Sequence, residues 1–340
     1  MKKFYLLSIA IFFAIVFNAL SENKIAVQKG NNVKFYKETE LQKAINEAEA
    51  GSDVYVPFTF SSNLGTIQLK KRLNLYGTGY YTSGTTVTGK TAYVEFDLYK
   101  GADSSYIDGF NCLIITYDTT INNVRIRNCK LDFYSNSKAI NYFYFKNCYI
   151  NALGTSYVNF NKADYFYFDN CIFKITQTYY SVYGKCQNSV FRHCIFNAPG
   201  VFVEADGSIN NQFYDCIFHN TYLYSHLLGR LNVFERCLCI YNIAHWGNEN
   251  ISIDCLKNIP QNNIFNQWND DPELADYNLK ATCPGKGYAT DGTDLGIYGG
   301  PYPYKEMAIP INPHFKANST ATKTVDGKLE ISIDIEAQTK

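Results

Sequence analysis

Tyr144-Phe145-Lys146-Asn147-Cys148-Tyr149-Ile150 is followed 23 residues later by Tyr167-Phe168-Asp169-Asn170-Cys171-Ile172-Phe173, and the two heptads lie over one another position by position. The same frame occurs upstream as Val124 to Leu131. Downstream it returns as Val190 to Phe196, Gln212 to Phe218 and Val233 to Cys239. The central cysteines, Cys129, Cys148, Cys171, Cys194, Cys216 and Cys237, step by 19, 23, 23, 22 and 21 residues. A period of about 22 belongs to solenoids, in which each repeat buries its apolar face only against its neighbours. Leucine-rich repeats share that range of periods, but their leucine pattern and helical half are missing. Each unit is instead made of short Phe-, Ile- and Tyr-rich alternating runs broken by Asn, Gly and Ser, which reads as a coil of strands.

Inside a unit, Phe168 and Cys171 are three positions apart, a step that strict alternation sends to opposite faces. Both are apolar, so a corner is expected between them. Asn170 is the natural corner residue because Asn tolerates the left-handed conformation of a sharp turn. Asn128, Asn147 and Asn170 recur at that place and are expected to stack and hydrogen-bond along the coil at the strand spacing of about 4.8 Å. The six cysteines then form an inward column of small hydrophobes. Neighbouring rungs also lie close enough that an oxidised pair stays open as an alternative. No Cys-x-x-Cys pair occurs and a linear column does not make a tetrahedral site, so no metal is expected there. Outward, just before the corner, run Arg127, Lys146, Asp169, Arg192, Tyr214 and Glu235, read as a solvated face with opposite charges pairing across rungs. In the corner column itself His193, Asp215 and Arg236 replace the asparagines. The plain reading is that the ladder ends and the turn becomes wetter, the alternative a charge relay or an anion site.

At this point the chain resembles the right-handed parallel β-helix of the pectin-lyase-like superfamily, in which inward aromatic stacks and an asparagine ladder at one turn are familiar. Leu41 to Ala48, then Gly51 and Val54-Tyr55-Val56-Pro57, look like the capping helix and first strand of such proteins. Leu73-Asn74-Leu75-Tyr76-Gly77-Thr78-Gly79 looks like the strand that follows. Asp271-Pro272 through Lys280, Gly287 and Asp291 to Gly300 resemble the closing segment of secreted bacterial β-helix proteins. The resemblance implies an all-β, right-handed parallel β-helix with a helical N-terminal cap and a β C-terminal cap. The expected organisation is a signal peptide over 1–21, a cap over 22–52, the β-helix over 53–300 and an extended segment with a capping strand over 301–340. That last strand is read from Leu329, Ile331, Ile333 and Ile335 alternating with polar residues. It is expected to cover the last coil or pair along the rod.

Composition narrows function. The chain has 340 residues, with 31 Lys+Arg against 31 Asp+Glu, and no basic run. The electrostatic footprint of a nucleic-acid binder is therefore missing. Lys2 and Lys3, the apolar stretch Phe4 to Val16 and Ala19-Leu20-Ser21 have the layout of a secretory signal, with an uncleaved N-terminal anchor as the alternative. No later segment is long and apolar enough to span a bilayer. The expected setting is secreted or cell-surface.

Two classes of site follow. Tyr142, Tyr144, Tyr165 and Tyr167 alternate with Phe143, Phe145, Phe166 and Phe168, so two successive rungs are expected to expose a flat patch of four tyrosines, able to stack on a polysaccharide or cell-surface glycan. This makes the first reading a non-catalytic, glycan-binding or adhesion-type protein. The second is a carbohydrate-active lyase or hydrolase working in a groove along the first-strand face, with Glu204, Asp206, His226 and Arg230 as the acid-base set. The hydrolase strings of the superfamily (Asn-Thr-Asp, Asp-Asp in context, Gly-His-Gly, Arg-Ile-Lys) and the pectate-lyase arginine motifs are absent, which weighs toward the first. No cofactor is implied. Asp291 and Asp294 in the Asp-Gly-Thr-Asp turn have the donors for calcium, but Asx-turn hydrogen bonding accounts for them equally.

Overall fold

The computed structural model describes residues 24–57, 63–80, 93–118, 121–135, 140–152, 160–175, 184–197, 209–219, 230–240, 249–269, 274–304, 314–320 and 331–336. The segment 1–21, read as a signal peptide, lies outside them. No helix among the described residues is long and apolar enough to cross a membrane.

The repeat frame becomes rungs. Tyr144–Lys146 pairs in parallel with Arg125–Arg127 on one side and Tyr167–Asp169 on the other. The ladder continues through Val190–Arg192, Gln212–Tyr214, Val233–Glu235 and Ile251–Ile253. These strands belong to a twelve-stranded first sheet. After the corner, Tyr149–Ala152, Ile172–Ile175, Ile195–Asn197, Ile217–His219 and Leu238–Cys239 build a nine-stranded second sheet, also parallel along this run. The molecule is a parallel β-solenoid, nearly all β, with one short helix near its N-terminus.

Register explains why the interior holds. The middle residues of the first-sheet strands, Phe145, Phe168, Phe191, Phe213 and Phe234, lie in one column with ring centroids 4.7 to 4.8 Å apart and nearly parallel planes. Phe173, Phe196 and Phe218 stack likewise in the second sheet and meet the first column edge-on. The strand spacing and the contact distance of offset-stacked rings coincide, so identical residues one turn apart satisfy both at once. The cysteines fill the narrow corner between the two columns and are fully buried.

Two of the corners among the described residues use left-handed positions. The expected one contains Asn128, Asn147, Asn170, His193, Asp215 and Arg236, with φ of 48 to 57°. Asn128 donates to Asp108 (2.7 Å), and Asn147 donates to Asn128 (3.4 Å). A second corner, just before the first sheet, has its own ladder. The Asn211, Asn232 and Asn250 carbonyl oxygens accept from the N–H groups of Ser189, Asn211 and Asn232 at 2.7 to 2.9 Å. Tyr142 and Tyr165 occupy left-handed positions of this corner (φ 57° and 58°), so they precede the strand rather than alternating within it.

The N-terminal edge is closed by a hairpin as well as the helix. Strand β1 (Lys24–Lys29) pairs antiparallel with β2 (Asn32–Lys37) and with the first coil strand β3 (Asp53–Tyr55). Helix α1 (Leu41–Glu47) buries Leu41, Ala44 and Ile45 over the coil. At the other end the parallel strands of the first sheet run to Ile253, and the chain then turns back. Phe265–Gln267 and Asp276–Leu279 form an antiparallel pair. From there residues 280–304 run as a strap down the outside of the second sheet toward the N-terminal coils. Ile331–Glu336, the expected capping strand, pairs antiparallel with His314–Thr320 in a two-stranded sheet of its own.

Candidate functional site

The strap explains an otherwise odd feature of the repeats. The outward residues after each cysteine, Tyr149, Ile172, Ile195, Ile217 and Leu238, are apolar and buried, and they form a second core with Ile264, Leu279, Leu295, Ile297 and Tyr304. The strap's contacts step backward along the rod as its own number rises. Gly285 packs near Leu238, Gly296 on Ile217 and Ile195, and Asn170 donates to the carbonyls of Ile297 (2.8 Å) and Gly299 (3.0 Å). Lys146 then sits over the Tyr302 ring at 4.1 Å, and the Tyr304 hydroxyl meets that of Tyr80.

The corner column is where the strap is fastened, which corrects the expectation of a wetter turn. Asp215 is 2% exposed and its two carboxylate oxygens accept from the N–H (2.7 Å) and the hydroxyl (2.6 Å) of Thr290. Its own carbonyl accepts from Gly296 N–H at 2.9 Å. Arg236 donates to the Ala289 carbonyl at 2.9 Å. His193 is 6% exposed, with Nε2 3.7 Å from Asp215 Oδ2 and 3.8 Å from Asp291 Oδ2. Gly299 and Gly300 lie on its ring. A Cβ on Gly299 would overlap the Asp294 carbonyl oxygen and fall 2.5 Å from His193 Nδ1.

Between this fastening and the first sheet lies a cleft of about 610 Å³. One wall is the outward column Lys146, Asp169, Arg192, Tyr214 and Glu235, the other Thr290, Asp291, Pro301 and Tyr302, with His193 and Asp215 at the corner. The column expected to be a plain solvated face is thus one side of a groove. Its charges do not close on each other. Among the described residues the ion pairs of Lys and Arg are Lys43–Glu40 and Lys286–Asp294, while Lys146 and Arg192 face Tyr302 and Tyr214 rings instead.

Burial pushes the Asp169 carboxyl up from the usual carboxylate range, against the pull of Lys146, Arg192 and His193. Burial also lowers Lys146, with Arg127 adding to it. Asp291 moves the other way, since burial raises it but the hydroxyl and N–H of Thr293 and the nearby His193 outweigh that and hold it down. The cleft therefore presents a carboxyl that keeps its proton more readily and one that gives it up more readily. Among the described residues no group of three or more His, Cys, Asp or Glu is placed to hold a metal. Asp291 and Asp294 are engaged by Thr293, Gly287 and Lys286.

Of the expected site residues, Glu204, Asp206 and His226 lie outside the described residues, and Arg230 is an exposed residue at the second corner, joined to Ile209 by an isolated bridge. The four tyrosines are adjacent, in two columns: Tyr142 stacks on Tyr165 and Tyr144 on Tyr167, each with centroids 5.0 Å apart and planes within 7°. The rings face one another along the rod, so outward they present edges and hydroxyls, and only the end rings of each stack offer an open face. Tyr144 and Tyr167 share strands with Lys146 and Asp169, so the tyrosine columns and the cleft belong to one surface.

These features define a parallel β-solenoid with a strapped cleft along its first sheet. No protein-family model matches the chain, and none of the curated proteins matches it in sequence.

Proposed function

We propose that the chain is an exported or cell-surface member of the pectin-lyase-like β-helix proteins that binds a glycan without cleaving it, along the face carrying the tyrosine columns and the cleft. One observation carries the reading: two stacked, part-exposed tyrosine pairs lie on the surface of a cleft whose cations and carboxyls are not consumed by each other, Tyr144 and Tyr167 on the same strands as its Lys146 and Asp169. Aromatic edges and faces with hydroxyls, beside separated charged groups, suit a ligand that is apolar on its ring faces and hydroxyl-rich at its rim. Left-handed Tyr142 and Tyr165 add support. Neighbouring rungs place Asn at this position, and a tyrosine held there at a conformational cost is the kind of strain that collects at binding surfaces.

The test is a glycan array with the purified mature protein, followed by titration calorimetry on any hit. Replacing the stacked pair (Tyr144→Ala with Tyr167→Ala) is expected to weaken binding by about tenfold, the size of one or two aromatic contacts. Wild-type affinity in that variant, or an empty array, overturns the reading.

A second reading rests on the opposed shifts of Asp169 and Asp291, which line one cleft, since acid-base catalysis on a glycosidic bond requires a proton donor and a proton acceptor in one site. The alternative set Glu204, Asp206, His226 and Arg230 is examined in the same way. Uronic-acid and neutral polysaccharides are screened for new ultraviolet absorbance and reducing ends. Activity lost in Asp169→Asn supports the cleft, activity lost in Glu204→Gln supports the other set, and silence across the panel removes both.

A further inference from the structure

We propose that His193 is a proton-operated clasp. Charged, its imidazole draws Asp291 of the strap and Asp215 of the rod together; neutral, it releases that pull, so the strap and the cleft wall it forms are held more tightly in mild acid than in mild alkali. The proposal concerns the strap itself and does not depend on what the cleft binds.

Three features converge on it. Nε2 lies 3.7 and 3.8 Å from two carboxylates, one on each body to be joined. These separations exceed a hydrogen bond, so their value depends on whether the ring carries charge. The ring is buried and its Nδ1 has no hydrogen-bond partner among the described residues, so the contacts of the ring with charged groups are those of Nε2. The backbone of Gly299 and Gly300 rests on the ring, so a change at the imidazole is felt directly by the strap. Other fastenings run from Asn170 to the Ile297 and Gly299 carbonyls, from Arg236 to the Ala289 carbonyl and from Thr290 to the Asp215 carboxylate, and none of them involves an imidazole.

The surrounding charges give the sign. His193 meets Asp215 and Asp291 directly, feels Asp169 from the preceding rung, and has Arg192 beside it in sequence; Lys146 and Glu235 line the same cleft further along. Asp291 stays ionised in mild acid because Thr293 holds its carboxyl low. The attraction exists only while the ring carries charge, so the clasp weakens as pH rises through the range in which a histidine ordinarily loses its proton.

Hydrogen–deuterium exchange of residues 288–304, corrected for intrinsic rates, measures this directly at pH about 5 and about 8. The wild-type strap is expected to be about three- to tenfold better protected at the lower pH, the size of one or two partly buried ion pairs. His193→Gln is expected to bring that ratio to about one, and Asp291→Asn, a change at the outer partner, to lower it without disturbing the rod. Lys286→Gln, which breaks an ion pair within the strap, is expected to leave the ratio as in wild type. A wild-type ratio of one overturns the clasp, as does an undiminished ratio in His193→Gln. Should His193→Gln unfold the rod, Asp291→Asn decides, and an unchanged ratio there overturns it equally.

Discussion

Tyr142 and Tyr165 sit where a polypeptide least wants a tyrosine. A Cβ-bearing residue in the left-handed region pays roughly 1 kcal/mol that Asn largely escapes, because its short polar side chain bonds locally. Asn123 before them and Asn188 and Asn210 after them hold the same corner with φ of 52 to 62°. The tyrosines offset part of the cost by stacking at 5.0 Å, a contact worth about 0.5–1.5 kcal/mol. Exchanging both for Asn (Tyr142→Asn with Tyr165→Asn) therefore leaves stability within about 1 kcal/mol of wild type, and also extends the ladder that Asn188 and Asn210 form at 2.7 Å. Chemical denaturation measures this. A loss of several kcal/mol would mean that the pair is structural and that its exposure is incidental. Because the variant preserves the fold, it is also the cleanest way to remove half of the tyrosine surface before a binding assay.

At the scale of an element, the strap is an irregular segment held by shape more than by secondary structure. Leu295 and Ile297 are buried against the outward isoleucines of the second sheet, each such side chain contributing about 1.5–3 kcal/mol. Thr290, Ile297 and Gly299 supply the backbone fastenings to the corner. Gly299 is the point of closest approach, where a methyl group meets backbone on one side and the His193 ring on the other, and neither yields cheaply. Gly299→Ala is accordingly expected to lift the strap's end while the rungs stay paired. Limited proteolysis should then cut within residues 290–304 at least tenfold faster than in wild type, with circular dichroism of the β-solenoid unchanged. Equal proteolysis rates for the two proteins would show that the close approach at His193 does not hold the strap down. The element was partly legible beforehand. Cys171-Ile172-Phe173 and its equivalents are continuous apolar runs, the signature of strands buried on both faces, and such a run requires a cover on the outer side. The inward alternation alone does not specify that cover, nor the reason why His193 and Asp215 replace Asn in the corner.

The winding of the whole molecule was legible because one local pattern, repeated, has only one way to bury itself. The Phe and Cys positions recur at equal offsets, and stacking them in register satisfies side-chain contact and backbone pairing together. The cleft was not legible, because its two walls are separate stretches of the sequence, one running from Lys146 to Glu235 and the other from Thr290 to Tyr302, and nothing periodic links them. The second asparagine corner and the left-handed tyrosines escaped for a related reason: backbone dihedrals follow from where neighbouring rungs pull the chain, which spacing alone does not specify. The cysteine column belongs to the rod as a unit, running from Cys129 through Cys237 with Cys255 beyond, and its redox state follows from the geometry of the solenoid. In-register neighbours of a parallel sheet carry their Cβ atoms about 4.8 Å apart, beyond the roughly 3.8 Å typical of a disulfide, so closing a bridge between rungs would compress the rod locally. Each thiol instead faces a carbonyl two residues back, at 3.0 to 3.5 Å. Burial pushes Cys148, Cys171 and Cys216 well above the usual thiol range, whereas at Cys194 and Cys237 hydrogen bonds from the thiols one rung away outweigh burial and lower it, so the protection of the column rests on its lack of exposure. The protein, purified without reductant, is thus expected to titrate all eleven of its cysteines with a thiol reagent once denatured. In the native state the half-buried Cys186 and Cys255 should react first and the column more slowly by orders of magnitude. Nine or fewer thiols in the denatured, unreduced protein would mean that at least one pair bridges in spite of the strand spacing, and the rod would then be locally drawn together at that rung.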